Sequence, residues 1–287
     1  LSTVWKKDQN IGGKLVIGPR SLIHQSSHFN STINNDLGLV EAFAQIRGDY
    51  GRFRFGLLPI NYGVEGAKSE SQIIFQRSLL FQKNIVSLRD IGVSYSVGDN
   101  GYYTELTVHN GESNDNTDGR MFLTSSWGYS DYEYLNLGVS GQTGTTKPIA
   151  TSSSGDTLAG IDVNNEALWR IADIYFHWHP HKWNFLLEMN YGELEQQSKV
   201  TQFEAGHVDF GYKLSNQWGM HLRYDYLDPN RKVTGDQEHQ YSLAFALYDR
   251  NGTSNVYLIA TKVEEEATEL NNDQLRLVWQ LTPLTGK

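Results

Sequence analysis

The chain has 287 residues, a formal charge of −9, 20% charged and 12% aromatic residues, and no cysteine. Without cysteine, a disulfide scaffold, a thiolate metal site and a cysteine nucleophile are excluded, and the acidic balance argues against a nucleic-acid partner, which needs a basic stripe. No run of about 18 apolar residues is present, so no transmembrane helix is expected. A β-barrel stays open, because its strands alternate lipid-facing and water-facing residues and look polar on average.

In chain order, fourteen strands are predicted, beginning near Lys14, Val40, Arg52, Asp90, Tyr102, Arg120, Tyr132, Leu168, Trp183, Glu204, Trp218, Gln240, Asn255 and Gln274. The later ones carry the clearest period of two. Trp183, Phe185, Leu187, Met189 and Tyr191 alternate with polar positions such as Glu188 and Asn190. Trp218, Met220, Leu222, Tyr224 and Tyr226 alternate with His221, Arg223 and Asp225. Tyr241, Leu243, Phe245 and Leu247 form a third row, and Leu275, Leu277, Trp279 and Leu281 a fourth. Segments of roughly ten alternating residues suit a tilted bilayer crossing. No helical period competes with them.

The connections separate a membrane barrel from a soluble sandwich. Tight gaps such as Gly48–Gly51, Gly98–Gly101 and His179–Lys182 are expected to alternate with long ones, from Ser26–Asp36 through Gln142–Asn164 to Glu264–Asn272. One rim of an outer-membrane barrel carries short turns and the other long loops. An even strand count would place both termini on the short-turn, periplasmic side. Aromatic residues cluster near the short turns (Tyr50, Tyr102, Trp127, Trp183, Trp218) and near the long loops (Tyr62, Trp169, Tyr191, Tyr226), as two interfacial girdles would require. Residues Leu1–Asn10 show no charged-then-apolar leader, so the chain reads as a mature form.

Parity then assigns the lumen. Lys14, Arg20, Arg47, Arg52 and Arg54 point inward, joined by Arg276 from the last strand to form one basic wall. Asp173, Glu188 and Asp209 point inward from the far side, so a transverse field is expected. Arg52 and Arg54 are the cations least able to satisfy one another. The longest loop, Asn61–Leu88, carries apolar residues ill-placed in bulk water. Folded inward, it would bring Lys68, Arg77 and Lys83 toward the constriction.

Other clusters have plainer readings. His177, His179 and His181 flank Pro180 and read as a polar turn. Arg47-Gly48-Asp49 falls on a tight turn. Glu264, Glu265, Glu266 and Glu269 read as a solvated loop, though they could bridge divalent cations to lipopolysaccharide. His207 and His221 beside Asp209 and Asp225 offer an acid–base pairing that lumen hydration explains equally well. No GxSxG, HExxH or Gly-rich phosphate loop occurs, so no enzyme, cofactor or metal is expected.

Three runs, Arg77-Ser78-Leu79, Arg89-Asp90-Ile91-Gly92-Val93 and Val108-His109-Asn110-Gly111-Glu112, resemble the signature of the phosphate-selective porin O/P family. The stretch from Glu41-Ala42-Phe43 to Leu57-Leu58-Pro59 is similar to that family's early strands. The likeness spans Leu39 to Trp127. The family usually has a longer chain with sixteen strands, and Leu281–Lys287 lacks the terminal aromatic usual in outer-membrane barrels. The resemblance implies a diffusion channel, commonly trimeric, without implying phosphate as the solute.

The resulting expectation is an all-β, closed antiparallel transmembrane barrel of about fourteen strands, with twelve and sixteen as bracketing counts, forming one domain in the bacterial outer membrane. Its function is passive diffusion of small hydrophilic solutes or ions, with outer-membrane lipid, lipopolysaccharide and copies of itself in a homotrimer as partners. A structural or adhesive surface protein with a plugged barrel is the alternative.

Overall fold

A computed structural model describes residues 2–6, 10–19, 37–66, 68, 72–83, 85–111, 119–131, 133–146, 166–197, 199–249, 254–266 and 273–281. Arg20, the Ser26–Asp36 gap, most of Gln142–Asn164 and Glu269 lie outside them. The first strands are β1 (Ser2–Lys6), β2 (Ile11–Pro19), β3 (Leu37–Gly48), β4 (Gly51–Pro59) and β5 (Arg89–Asp99). They are followed by β6 (Tyr102–His109), β7 (Phe122–Ser130), β8 (Leu135–Thr146), β9 (Ala167–Trp178) and β10 (Trp183–Gln196). The last are β11 (Lys199–Lys213), β12 (Trp218–Asp228), β13 (Glu238–Tyr248), β14 (Ser254–Glu265) and β15 (Gln274–Leu281). A single helical turn, α1 (Leu79–Gln82), lies between β4 and β5.

All fifteen strands form one sheet in sequence order, each antiparallel to its neighbours. The count exceeds the predicted fourteen by β1, whose register runs from Ser2 opposite Val16 to Lys6 opposite Gly12. Two corrections follow from β1. Ser2 lies toward the long-connection edge, whereas Leu281, opposite Ser254, lies toward the short-turn edge, so the two ends do not share a rim. Arg276 on β15 is also no direct neighbour of Lys14, because β1 flanks β2. A third correction concerns β10 and β11, which are 14 and 15 residues long and join through residues 197 and 198 alone. Gln197 takes a positive φ of 47° there, closing as a hairpin a gap expected to be long.

The sheet is rolled. Leu58 on β4 and Leu227 on β12 belong to one buried cluster, yet in a flat sheet strands eight places apart would stand roughly 38 Å from one another. The two faces differ as parity requires. Ile174, Met189, Leu222 and Phe245 are 59, 59, 44 and 49% exposed, while Glu188, Arg223, Asp225 and His207 are 0, 4, 2 and 2% exposed. An exterior of bare aliphatic and aromatic side chains around a buried polar interior inverts a water-soluble protein and matches a barrel solvated by lipid. Exposed Tyr50, Tyr102, Trp127, Trp183 and Trp218 ring the short-turn end, and Tyr191 and Tyr224 the other. Trp169 and Tyr62 do not join the second ring. Both are buried, Trp169 against Phe203 and Tyr62 beneath the polar face.

Segment 60–88 leaves β4 and returns to β5 after crossing that polar face. Leu79, Leu80, Phe81, Ile85, Val86 and Leu88 pack against Phe122, Trp169, Ile171, Leu194, Phe203 and Leu227. Phe75 packs separately on Ala244, Ala246, Tyr257 and Ile259 of β13 and β14. At roughly 1.5–3 kcal/mol for each large apolar side chain buried, these contacts offset a substantial part of the ordering cost of so irregular a segment, and hydrogen bonds to the polar face must supply more.

Candidate functional site

The polar face is organised around segment 60–88. Its first limb is held by backbone and side-chain bonds in succession: Ser126 Oγ donates to the Asn61 carbonyl, Tyr62 Oη donates to Asn190 Oδ1 at 2.9 Å, and the amides of Gly63 and Val64 donate to Ser140 Oγ at 3.0 Å and Glu188 Oε2 at 2.9 Å. Gly63 has a φ of +59°, and a Cβ there would meet the Glu188 carboxylate. Glycine alone satisfies both the turn and the close approach.

Glu65 forms the central anchor. Its Oε1 accepts from Arg223 Nη1 at 2.6 Å, and its Oε2 accepts from the Ser78 amide at 2.8 Å. Burial opposes the Glu65 charge, yet the Arg223 guanidinium, His207 and Arg77 together hold its carboxyl well below the ordinary range. Arg223 is also bonded to Asp225 at 2.6 and 3.0 Å and lies 3.4 Å from Asp209. One cation thus serves three carboxylates. Farther along, Gln82 donates to Gln240 Oε1 at 3.2 Å, and Gln280 Nε2 on β15 donates to the Ile73 carbonyl.

The cations expected to form a wall are unequally engaged. Lys14 pairs with Glu41 at 2.6 Å, and Arg89 shares that carboxylate at 3.2 Å. Arg54 is paired with Glu105, bonded to Ser94 Oγ and held over the Phe43 ring, which corrects the expectation that it stands unsatisfied. Arg276 has Nε and Nη2 buried without a hydrogen-bond partner. Among the described residues no carboxylate pairs with Arg47 or Arg52. These two are direct cross-strand partners, with Arg52 Nε donating to Ser96 Oγ at 3.2 Å.

The three loop cations also diverge. Arg77 is buried inside the segment, donating to the carbonyls of Glu65 and Lys68, so it braces the fold and presents no charge to a passage. Lys83 pairs with Glu238 at 2.6 Å. Lys68 has no ion-pair partner among the described residues, and burial draws its ammonium below the ordinary value against the pull of Glu65 and Asp209. Lys68, Arg47 and Arg52 are brought together around one cavity of about 790 Å³, which Tyr103, Glu105, Asn136 and Tyr175 also line.

Of the acidic row, Glu188 receives the Val64 amide, Asp209 approaches Arg223, and Asp173 lies on the polar face of β9. Sequence reasoning did not single out Glu65, Glu105 or Arg223. Inward parity on β6 and β12 signals the last two; nothing local signals Glu65. The histidines make no acid–base array with the aspartates, since His221 bonds Tyr248 Oη at 2.7 Å and Asp225 is spent on Arg223. His109 sits between Asp90 at 2.6 Å and Thr124 at 2.8 Å, but all three are almost wholly enclosed and tie β5, β6 and β7 together.

Comparison with known proteins accords with this architecture. Residues 3–262 match the family described as beta-barrel porin-2, OmpL-like. No curated protein matches the chain. In fold it is similar to OmpT, an outer membrane protein of Vibrio cholerae in its trimer form, with a TM-score of 0.68 and 12% identity over 95% of this chain and 86% of that one. It is also similar to an anion-selective porin from Comamonas acidovorans, with a TM-score of 0.66 and 10% identity over 92% and 77%. The matched family is not the phosphate-selective one that the motifs in 39–127 resemble, although both are porin-like. By the match over residues 3–262 and its lipid-suited exterior, the chain belongs to the beta-barrel porin-2, OmpL-like family of outer-membrane barrels.

Proposed function

We propose that the protein is a passive diffusion channel for small hydrophilic solutes, whose bore is narrowed and made eccentric by segment 60–88. The carrying observation is the unequal filling of the polar face. Apolar packing lies against β7 and β9–β14, whereas the 790 Å³ cavity opens at the short-turn ends of β3–β9. Water and solute then pass along the basic arc, not down the barrel axis. Paired carboxylates offset much of that arc, so the charge preference is near-neutral to weakly anionic, the same direction as the Comamonas porin's name. Short turns face the periplasm and long connections the outside, with lipopolysaccharide around the outer rim and a homotrimer as the assembly.

Planar-bilayer recording tests this reading. The full chain should conduct with weak ion selectivity, and excising residues 72–83 should raise conductance while the barrel still migrates as a folded species. Absence of current before and after excision would refute a channel. Absence before, followed by conduction after, would favour the second reading, a plugged barrel with a structural or adhesive role, which the packing of Phe81 against Phe122, Trp169 and Phe203 supports.

A further inference from the structure

Arg47 and Arg52 oppose one another across β3 and β4. Like charges directly opposite in a sheet repel, and such pairs are normally relieved by a neighbouring carboxylate. Here Glu105 is already bonded to Arg54 one row deeper, and Asp49, at the mouth of the same cavity, makes no ion pair with either arginine. Lys68 enters the same cavity from segment 60–88 and likewise makes no ion pair among the described residues, although Glu65 and Asp209 attract it from behind. Three positive groups on two separate supports thus face one open-mouthed space. At about 790 Å³, that space lies in the range of sites for organic ligands, roughly 300–1,000 Å³, and far exceeds the volume of a single inorganic oxyanion.

We infer that this cavity is a binding site for an organic dianion, with one anionic group held by Arg47 and Arg52, the other by Lys68, and the carbon skeleton spanning the gap beside Tyr103, Asn136 and Tyr175. Guanidiniums suit a planar carboxylate through paired N–H donors, and an ammonium suits the second group as a point charge. A monoanion engages one support alone. A neutral molecule engages neither. The site deepens the channel reading above, since an anion resting there slows in transit, but binding does not require current.

The test separates the two. The full chain, folded in detergent micelles, is titrated with succinate, glutarate, acetate, inorganic phosphate and 1,4-butanediol by calorimetry, and the same probes are applied to the chloride current in bilayers. The dicarboxylates should bind about tenfold tighter than acetate or phosphate, and the diol not at all. The double change Arg47→Gln and Arg52→Gln, and separately Lys68→Gln, should each weaken dicarboxylate binding about tenfold, as expected for a lost charge-assisted contact. Lys68→Arg should retain it, and Lys83→Gln, whose ammonium is engaged by Glu238, should leave it unchanged. Acetate binding as tightly as succinate, or succinate binding unaltered in the arginine and lysine variants, would overturn the site. Binding intact with no current would overturn the channel reading and leave the site standing. Current with no dicarboxylate binding would do the reverse.

Discussion

Replacing Glu65 with alanine tests what holds segment 60–88 against the polar face. The change removes two short bonds, from Arg223 Nη1 at 2.6 Å and from the Ser78 amide at 2.8 Å. Hydrogen bonds to charged groups contribute roughly 1.5–3 kcal/mol each. Arg223 keeps Asp225 and Asp209, so its guanidinium is not left as an orphaned buried charge, and the larger cost of breaking an isolated buried pair does not apply. The net loss is about 3 kcal/mol, which raises the population of the released segment about a hundredfold. Amide hydrogen exchange reads this directly. The amides of Phe81, Gln82, Lys83 and Ile85 are bonded within the segment to Ser78, Leu79 and Leu80 carbonyls, and their exchange should accelerate by about that factor while β10–β13 stay protected. Exchange unchanged in the Glu65 variant would mean that apolar packing alone fixes the segment, refuting the electrostatic anchor.

Two further outcomes are expected. Leu222→Arg, mid-strand on the lipid face, should cost roughly 2–4 kcal/mol of folding stability in bilayers, against about 0–1 for Tyr226→Arg near the rim, measured by reversible unfolding in lipid vesicles; equal costs would contradict the bilayer placement. Asp131 Oδ1 accepts the amides of Glu133, Tyr134 and Leu135 at 3.0, 2.7 and 2.8 Å, and the bonds from Leu135 and Tyr134 hold its carboxyl below the ordinary value. Because the folded value is the lower one, the turn's extra stability is present above about pH 4, the unfolded value, and fades as pH falls through the folded value. Protection of the Leu135 amide, taken relative to its intrinsic exchange rate at each pH, should therefore fall on acidification and be insensitive to that acidification in Asp131→Ala.

Much of this fold is legible because lipid and water impose opposite demands on alternate residues. Met189 against Glu188, or Leu222 against Arg223, settles the face of a strand without knowledge of its partner. β1 escapes because Ser2–Lys6 is too short for a period to assert itself. Trp169 is misread as interfacial because strand-end position does not reveal whether a ring faces lipid or packs on Phe203. The site is harder to see for a different reason. Whether Arg54 is free depends on Glu105, 51 residues away, and Glu65 meets Arg223 across 158 residues. Parity supplies the inward direction of a charge, but pairing requires the register and the path of an irregular segment, neither of which has a local signature.

The place of segment 60–88 in the chain also bears on how the barrel assembles. Every strand pairing joins sequence neighbours, so the sheet can grow by successive short loop closures, each with a small entropic penalty. The segment breaks that locality. It emerges after β4, early in the order, but its partners arrive last: Asn190 at a separation of 128, Gln240 at 158 and Gln280 at 207 residues. Until those strands come round, its apolar side chains lack most of their cover and its Glu65 carboxylate lacks the Arg223 guanidinium of β12. The segment therefore acts as a mandrel about which β12–β15 close, and its long-range contacts carry a larger loop-closure cost than any pairing of neighbouring strands.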